Sequence, residues 1–501
     1  MKVLFVYPNI NAQVGFNYGL AFISSLLRSR GHETRLINLN EKLGSVPSPE
    51  EVAKEAERFG ARLVGFSCVT PQYQIALDYA RRLKSDLPAV KLVCGGIHPT
   101  MTPDEVLSDG VFDFVCVGEG EEATLELVEA LDKGLSTDNV RNMWFRRDEQ
   151  VVRTGVRPFV DLATLPAKDY DVFDFQRMID RMNGWVGIMS SRGCPFGCTY
   201  CFNHKMREFY RKYCDKPGEY IRRHPAAKVV AEMEMLRECY KNVRMFIFDD
   251  DLFTMDKDYV REFSELYSQR VGLPFVANAH VRFFDEEVAV LLARAGCRII
   301  KFGLESGSER VRREIMNRKM TNDEIFRAFE AARLAGLHSS AFVMMGLPTE
   351  TPEELRDTIR LLGRIRPGRF RWAVFYPFVG TRAWQIALER GCVNQEKMRR
   401  LTNFTDESCL DFGSEQNLLI RKMKAAYPWY VNAASDLPCA EYYGKLLRVI
   451  ERMGPEEWAR YEPGLRKLDE HASQFLQELG QEHYAIRFND FMAVQSTWQD
   501  P

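Results

Sequence analysis

Two stretches of the chain alternate short apolar runs with amphipathic segments, and no other feature of the sequence constrains the fold as strongly. In residues 1–135, "KVLFVYP", "RLVGFSCVT", "VKLVCGG" and "FDFVCVG" are continuous apolar runs, the pattern of strands buried on both faces of a parallel sheet. Between them, "YGLAFISSLLRSRG" reads as a helix ending at Gly31, and "TPDEV" sets Thr102 as N-cap with Pro103 at the first helical position. Such an alternation predicts an open, doubly wound parallel sheet whose ligands sit at the carboxyl ends of the strands.

The fold class expected for the whole chain is α/β. A flavodoxin-like sheet spans residues 1–135. Residues 136–184 are irregular, with "RPFVDLATLPAKDYDVFDF" reading as a linker. Alternation resumes at residue 185 with six strand candidates: "VGIMSS", "VRMFIFD", "PFVANAH", "CRIIKFG", "SSAFVMMG" and "FRWAVFYP". Six are too few for an eight-fold barrel and predict a partial six-stranded (β/α) barrel over 185–390. Of its helices, "FDEEVAVLLARAG" is capped by Asp285 and stopped by Gly296, and "NDEIFRAFEAARLAG" puts Ile325, Phe326, Phe329 and Leu334 on one face. Chemistry in such barrels collects at the carboxyl ends of the strands, where Asp249–Asp251, Asn278, His280, Glu305, Ser306 and Tyr376 gather. Residues 391–501 turn helical and aromatic-rich, a C-terminal helical domain or lid.

Composition excludes several classes. With 46% apolar residues, 28% charged residues and a net charge of −2, there is no electrostatic case for nucleic acid as the main partner. No apolar run approaches the roughly 20 residues that span a bilayer. The start, "MKVLFVYPNI", stops at Pro8 without a cleavage pattern and reads as a buried strand. Twelve cysteines in so large a chain argue against a secreted disulfide framework and for a reducing cytoplasm, most of the thiols being small core residues.

"SSRGCPFGCTYCFN", residues 190–203, sets Cys194, Cys198 and Cys201 in a C-x₃-C-x₂-C run on a Gly-Pro loop. Three soft thiolates so spaced favour an iron–sulfur cluster or zinc. A cubane on three cysteines leaves one iron without a protein ligand, and a substrate or cofactor binds there, by the logic that keeps a catalytic metal open. The alternative is a structural zinc site completed by His204 or Cys214, although no second C-x-x-C is present.

The C-x₃-C-x-(aromatic)-C run, with Tyr200 as the aromatic, is followed in order by "FIFDDDLFT", "KFGLESGSE", "MMGLPTETPEEL" and "FYPFVGT". Over roughly residues 185–385 this resembles the radical S-adenosylmethionine superfamily. The resemblance implies a [4Fe-4S] cluster on Cys194, Cys198 and Cys201 and S-adenosylmethionine chelating the open iron. It further implies one-electron cleavage to a 5′-deoxyadenosyl radical, fed by an external donor of flavodoxin or ferredoxin type. On the cofactor side stand Tyr200, Asp249 or Asp250 for the methionyl ammonium, Glu305 and Ser306 for ribose or methionine groups, and Gly346 and Leu347 beside adenine. Asn278, His280, Trp372 and Tyr376 are the substrate-facing residues; strand-end carboxylates that simply cap the next helix are the plainer reading.

"VGEGEEA", residues 117–123, formally matches a dinucleotide fingerprint, but its three glutamates would repel a pyrophosphate and it follows the last strand, not the first. Instead "YGLAFISSLLRSRGHE", "CGGIHPT" and "GEGE" resemble the cobalamin-binding domain that precedes many radical S-adenosylmethionine enzymes. Cobalamin contacts then fall to Ser67, Thr70, Gly95, Gly96, Gly118, Glu119 and Gly120. The loop after the first strand, "YPNINAQVGFNYG", has no histidine, so the lower face of the cobalt lacks one; His98 reads as a turn-packing residue. A rival is the transfer-RNA methylthiotransferases, which bind a second cluster through three N-terminal cysteines. Cys68, Cys94 and Cys116 lie on successive strands, but within apolar runs where core cysteine is common. The basic and aromatic segment 204–224 reads as a solvated helix-loop face that contacts at most one phosphate or carboxylate.

The expectation is a cytoplasmic enzyme in which cobalamin carries a methyl group to an unactivated carbon of a small-molecule substrate. The alternatives are cyclisation or rearrangement, as in the anaerobic cyclases of tetrapyrrole synthesis, RNA methylthiolation, and a non-catalytic zinc-binding protein.

Overall fold

The structure is a computed structural model that describes residues 1–148, 150–401 and 408–498. The chain divides into two units. The first holds Met1–Phe196, Cys201–Ile247 and Phe378–Thr381; the second holds Gly197–Tyr200, Phe248–Pro377 and the chain from Arg382 onward.

The first unit is built on a seven-stranded sheet of β1 (Lys2–Pro8), β2 (Glu33–Leu39), β3 (Leu63–Ser67), β4 (Lys91–Gly95), β5 (Phe114–Cys116), β6 (Met143–Arg147) and β7 (Gln150–Val152). Its order is β2-β1-β3-β4-β5-β6-β7, and the first five are parallel, the flavodoxin-like order expected. β6 and β7 continue it antiparallel, so residues 136–184 are not irregular throughout. The sequence reading missed these two because "NMWFRR" and "QVV" are too short and too charged to look buried.

Local signals fix the helices. Ser48 and Glu51 form a reciprocal capping box ahead of Pro49–Phe59, which ends at left-handed Gly60. Thr102 occupies the N-cap position of Pro103–Ser108 but makes no cap bond; its hydroxyl turns back to the carbonyl of His98, 3.1 Å away. The core beneath these helices includes Leu4, Val64, Leu92 and Trp144, joined by Tyr210 and Cys214 from further along the chain. Burying each such aliphatic side chain contributes roughly 1.5–3 kcal/mol. The same unit holds the two-residue strands of an antiparallel ribbon, Ser191–Arg192 and Arg222–Arg223. β8 (Trp185–Ile188) is followed by β9 (Ser191–Arg192), which pairs antiparallel with β10 (Arg222–Arg223), and then by β11 (Met245–Phe248).

In the second unit, β12 (Phe275–Ala279), β13 (Cys297–Glu305), β14 (His338–Met345) and β15 (Arg369–Val374) run parallel in sequence order. All six strands expected from residue 185 onward are present, β8 and β11 having been given above. Asp285 caps Glu286–Ala295 and Gly296 ends it. Thr321 and Glu324 box the start of Asn322–Leu334, but Leu334 is 63% exposed while Ile325, Ala328, Phe329 and Ala332 are buried, so the apolar stripe is narrower than the sequence suggested. The C-terminal region is helical, with Ser414–Ala433, Ala440–Arg452 and Leu465–Glu478. It closes with strands: β16 (Tyr484–Ile486) pairs with β17 (Met492–Gln495), and β17 adds antiparallel to β15. No helix among the described residues is long and apolar enough to cross a membrane.

Candidate active site

The cysteine loop begins at Gly193, whose φ of +92° and contact with the Tyr220 carbonyl leave no room for a side chain. Arg207 holds the loop by donating to the carbonyls of Pro195 (3.3 Å) and Phe196 (2.9 Å). Cys201 is the N-cap of the twelve-residue helix Phe202–Tyr213. Its sulfur accepts from the backbone N–H of Asn203 at 3.5 Å and from the Asn203 amide at 3.3 Å. The hydroxyl of Tyr220 donates to Asn203 Oδ1, which turns the amide N–H groups toward the sulfur. A thiolate gains more than a thiol from such donors and from a helix N-terminus.

Cys198 and Tyr200 belong to the second unit. Arg318 donates to Cys198 Sγ at 3.6 Å and to the Gly303 carbonyl at 2.6 Å. Burial opposes the charge of Arg318, but Tyr200, Glu305 and Cys198 hold it protonated. Glu305 ends β13 at φ +69°, and its carboxylate occupies the space that a Gly303 side chain would need. Burial raises the Glu305 pKa, while Arg318 and a hydrogen bond from Tyr200 pull it back. Tyr200, Glu305 and Arg318 are thus one cluster beside a cysteine sulfur. Arg318 was missed by the sequence reading; a lone arginine in "MNRKMT" carries no spacing signal.

The other cofactor-side residues divide. Ser306 is fully buried, and its hydroxyl accepts from Ser308 N at 3.2 Å and lies 3.5 Å from the Thr358 hydroxyl, so it faces the protein, not a ribose. The N–H groups of Gly346 and Leu347 both donate to Glu350 Oε2, at 2.8 and 3.1 Å. Asp250 is buried, and its carbonyl, with that of Phe248, receives the Asn278 amide at 2.9 and 3.2 Å. Asp249 is exposed and its field acts on Lys301.

Of the substrate-facing set, Trp372 is overturned. It is 2% exposed, stacks on Tyr427 with ring centroids 5.2 Å apart, and donates to the Lys424 carbonyl; side chains alternate along β15, and Arg371 stands on the other face. Tyr376 is likewise buried, and burial pushes its hydroxyl pKa up. His280 is buried, accepts from Arg282 N, and is driven down to about 2 by burial, Arg318 and Arg282, so its ring is neutral.

At the carboxyl edge of the first sheet the expected cobalamin contacts have local partners. Gly96 (φ +104°) lets the Cys68 backbone approach, a Cβ there lying 2.7 Å from the Cys68 carbonyl; one on Gly95 would lie 3.4 Å from Cys116 Cβ. Gly118 (φ +76°) yields to Tyr210, whose hydroxyl would be 2.6 Å away, and Gly120 packs on Cys116 and Ile23. The Ser67 hydroxyl accepts from Asn17 at 3.1 Å, and Thr70 lies 3.3 Å from His98 Nδ1. Glu119 is corrected outright. Its half-buried carboxylate accepts from Val160 N, Arg192 and Arg222 at 2.8–3.0 Å, so it is spent as the counter-ion of two arginines rather than free for a corrin amide. His98 packs against the Tyr73 ring, tilted by 36° with centroids 4.2 Å apart, and burial lowers its pKa to about 4. Cys68, Cys94 and Cys116 are buried in the core, and burial pushes Cys116 up to about 12 and Cys94 well above its ordinary value. Among the described residues no three His, Cys, Asp or Glu side chains converge on a single-ion site. A cubane sets each cysteine on a separate iron and needs no such convergence.

Residues 188–362 match the family model of the radical SAM superfamily, and residues 12–128 match that of the B12 binding domain. The chain is therefore a radical S-adenosylmethionine enzyme with a cobalamin-binding domain. It is similar to an uncharacterized methyltransferase of Pyrococcus horikoshii, 28% identical over 84% of this chain and 91% of that protein. It is also similar to the anaerobic magnesium-protoporphyrin IX monomethyl ester cyclase of Rubrivivax gelatinosus, 27% identical over 87% of this chain and 78% of that protein. In fold it is similar to the cobalamin-dependent S-adenosylmethionine radical enzyme OxsB, with a TM-score of 0.68 and 14% identity over 96% of this chain and 75% of that one.

Membership implies a [4Fe-4S] cluster, S-adenosylmethionine and cobalamin, and the residues fit. N–H donors aimed at the sulfurs of Cys201 and Cys198 suit anionic cluster ligands. At the sheet edge Val69 is 42% exposed between Ser67 and Thr70, an apolar surface flanked by hydroxyls that suits a corrin and its amide rim.

Proposed function

We propose that this enzyme methylates an unactivated carbon of a small-molecule substrate, in the cytoplasm, with electrons from an external carrier of flavodoxin or ferredoxin type. The observation that carries this is the union in one chain of a B12-binding domain with a radical SAM domain, over nearly the full length of a relative named a methyltransferase. When bound, the cofactors supply the 5′-deoxyadenosyl radical and the methyl group.

The chain's own part is to hold and orient. Cys194, Cys198 and Cys201 are the cluster ligands. Tyr200, Glu305 and Arg318 receive the methionyl end of S-adenosylmethionine, with Asp249 at the adjoining strand end and the carbonyls of Gly346 and Leu347 beside adenine. Ser67, Thr70, Gly95 and Gly96 line the corrin edge. The working division is a cobalamin domain over 1–135 whose sheet is extended by β6 and β7, a connecting segment over the remainder of 136–184, a barrel over 185–390 and a mainly helical domain over 391–501.

A second reading, ring formation or rearrangement, draws on the cyclase likeness. Anaerobic incubation with S-adenosylmethionine and reductant separates the two. 5′-Deoxyadenosine together with S-adenosylhomocysteine supports methyl transfer; 5′-deoxyadenosine alone supports cyclisation, and neither product defeats both.

A further inference from the structure

The sheet of the second unit has one face left open. Along β13–β15 the residues Phe302, Leu304, Val343, Phe370 and Trp372 are buried, whereas Lys301, Phe342, Met344 and Arg371 are half-buried. Register identifies which side chains share that face. Lys301 lies opposite Asn278 and Ser340, and Arg371 lies opposite Phe342, two residues beyond Ser340. Residues opposite one another or two apart point to the same side, so Lys301 and Arg371 stand on the open face in neighbouring rows.

Both are cations without an ion pair among the described residues. Arg371 lies over the rings of Phe342 and Phe491, 5.6 and 5.2 Å from their centroids, which places the guanidinium without neutralising it. The Asn278 amide is spent on two carbonyls. Charges removed from water without a counter-ion destabilise a fold. Burial accordingly lowers the Lys301 ammonium to about 8, with Asp249 opposing the shift and Arg371 and Arg369 adding to it; burial lowers Arg371 as well. Two such cations on one face, separated by β14 and two residues of register, answer to an anion that arrives between them from outside.

We infer that Lys301 and Arg371 form the anion-binding part of the substrate site, and that the substrate carries a carboxylate or phosphate group. The inference rests on the radical reading above. The guanidinium fork takes two oxygens of such a group and the ammonium a third; a neutral substrate would leave both charges unpaired. S-Adenosylmethionine carries a carboxylate too and is the other source of the same chemistry.

The test uses the full-length reconstituted enzyme, Lys301→Met and Arg371→Met, and thermal unfolding at constant ionic strength. Inorganic phosphate is the probe, chloride the control, and S-adenosylmethionine a separate arm. Without ligand both variants melt above the parent, since each loses an unpaired charge, whereas a structural role would make them melt below it. Phosphate raises the Tm of the parent by binding the folded state and fails to raise that of either variant, while S-adenosylmethionine raises all three alike. Ligand-free variants less stable than the parent, or a phosphate shift retained in both, overturns the inference. Loss of the S-adenosylmethionine shift in the variants gives these cations to the cosubstrate and also overturns it. Formation of 5′-deoxyadenosine by the parent is read separately: its absence defeats the radical reading and leaves the anion result standing.

Discussion

Arg318 and Cys198, 120 residues apart in sequence, meet with a guanidinium N–H 3.6 Å from the thiol sulfur. The charge of the same guanidinium acts on the half-buried Glu305 carboxylate and pulls its pKa down against burial. Arg318→Met therefore removes the cation that favours the charged carboxylate, a loss of about 1–3 kcal/mol for a group left poorly satisfied, measured by urea unfolding. Adding Glu305→Gln removes that carboxylate, and the double variant recovers part of the loss. A double variant that loses the sum of the two single effects would show that the pair is not coupled.

Asn203 faces Cys201 as Arg318 faces Cys198. N–H donors to a cluster sulfur favour the reduced, more negative state, so Asn203→Leu makes the cluster harder to reduce. Redox-poised electron paramagnetic resonance on iron-replete protein should show a midpoint more negative than the parent's, and Tyr220→Phe should shift it in the same direction by less. Unmoved midpoints in both would dismiss the effect.

β9 and β10 set Arg192 directly opposite Arg222, and like charges so placed are destabilising unless neutralised. Glu119 binds both, and Glu121 binds Arg192 at 2.6 Å. Removing the shared counter-ion in Glu119→Ala should cost about 3–5 kcal/mol of stability and leave the cobalamin affinity of the folded protein unchanged. Weaker cobalamin binding at unchanged stability would return Glu119 to the corrin edge.

Glu350 is buried, and burial raises its carboxyl from 4.5 to about 8 although the amides of Leu347 and Gly346 pull it down. Between those values the folded chain keeps a proton that the unfolded chain releases, so stability falls as pH rises from 4.5 to about 8. Glu350→Gln removes that fall. Its stability relative to the parent should grow from pH 5 to pH 8 by an amount on the order of a few kcal/mol, read from urea midpoints. A constant difference would place the parent carboxyl outside this range.

His98 is held by Tyr73, Thr70 and Thr102. The cob(II)alamin resonance of the reconstituted enzyme should lack splitting from a histidine nitrogen and be the same in His98→Ala. A nitrogen splitting that disappears with His98 would make it the lower ligand.

The βα alternation and the cysteine run were legible because both are written as local patterns: apolar runs of strand length, and three ligand residues on one turn. What escaped was set by partners distant in sequence. Trp372 and Arg371 differ by one position, and only the helix Ser414–Ala433, where Tyr427 meets Trp372, decides which of them faces inward. Glu119 looked like a ligand contact because Arg192 and Arg222 come 73 and 103 residues later. Gly96 and Gly118 were expected at the corrin edge, and the atoms that approach them closely are those of Cys68 and Tyr210. Lys301 did leave a signal, a lone charge inside the apolar run "CRIIKFGLE", and a charge in such a run calls for a partner.

Iron with an open coordination site, held by Cys194, Cys198 and Cys201, is tested most directly by Mössbauer spectroscopy of the anaerobically reconstituted protein before and after adding S-adenosylmethionine. One iron of the cubane should change its spectrum while the other three do not, and the triple alanine variant of those cysteines should hold no cluster. A spectrum indifferent to S-adenosylmethionine, or a cluster that survives loss of the three cysteines, would contradict it.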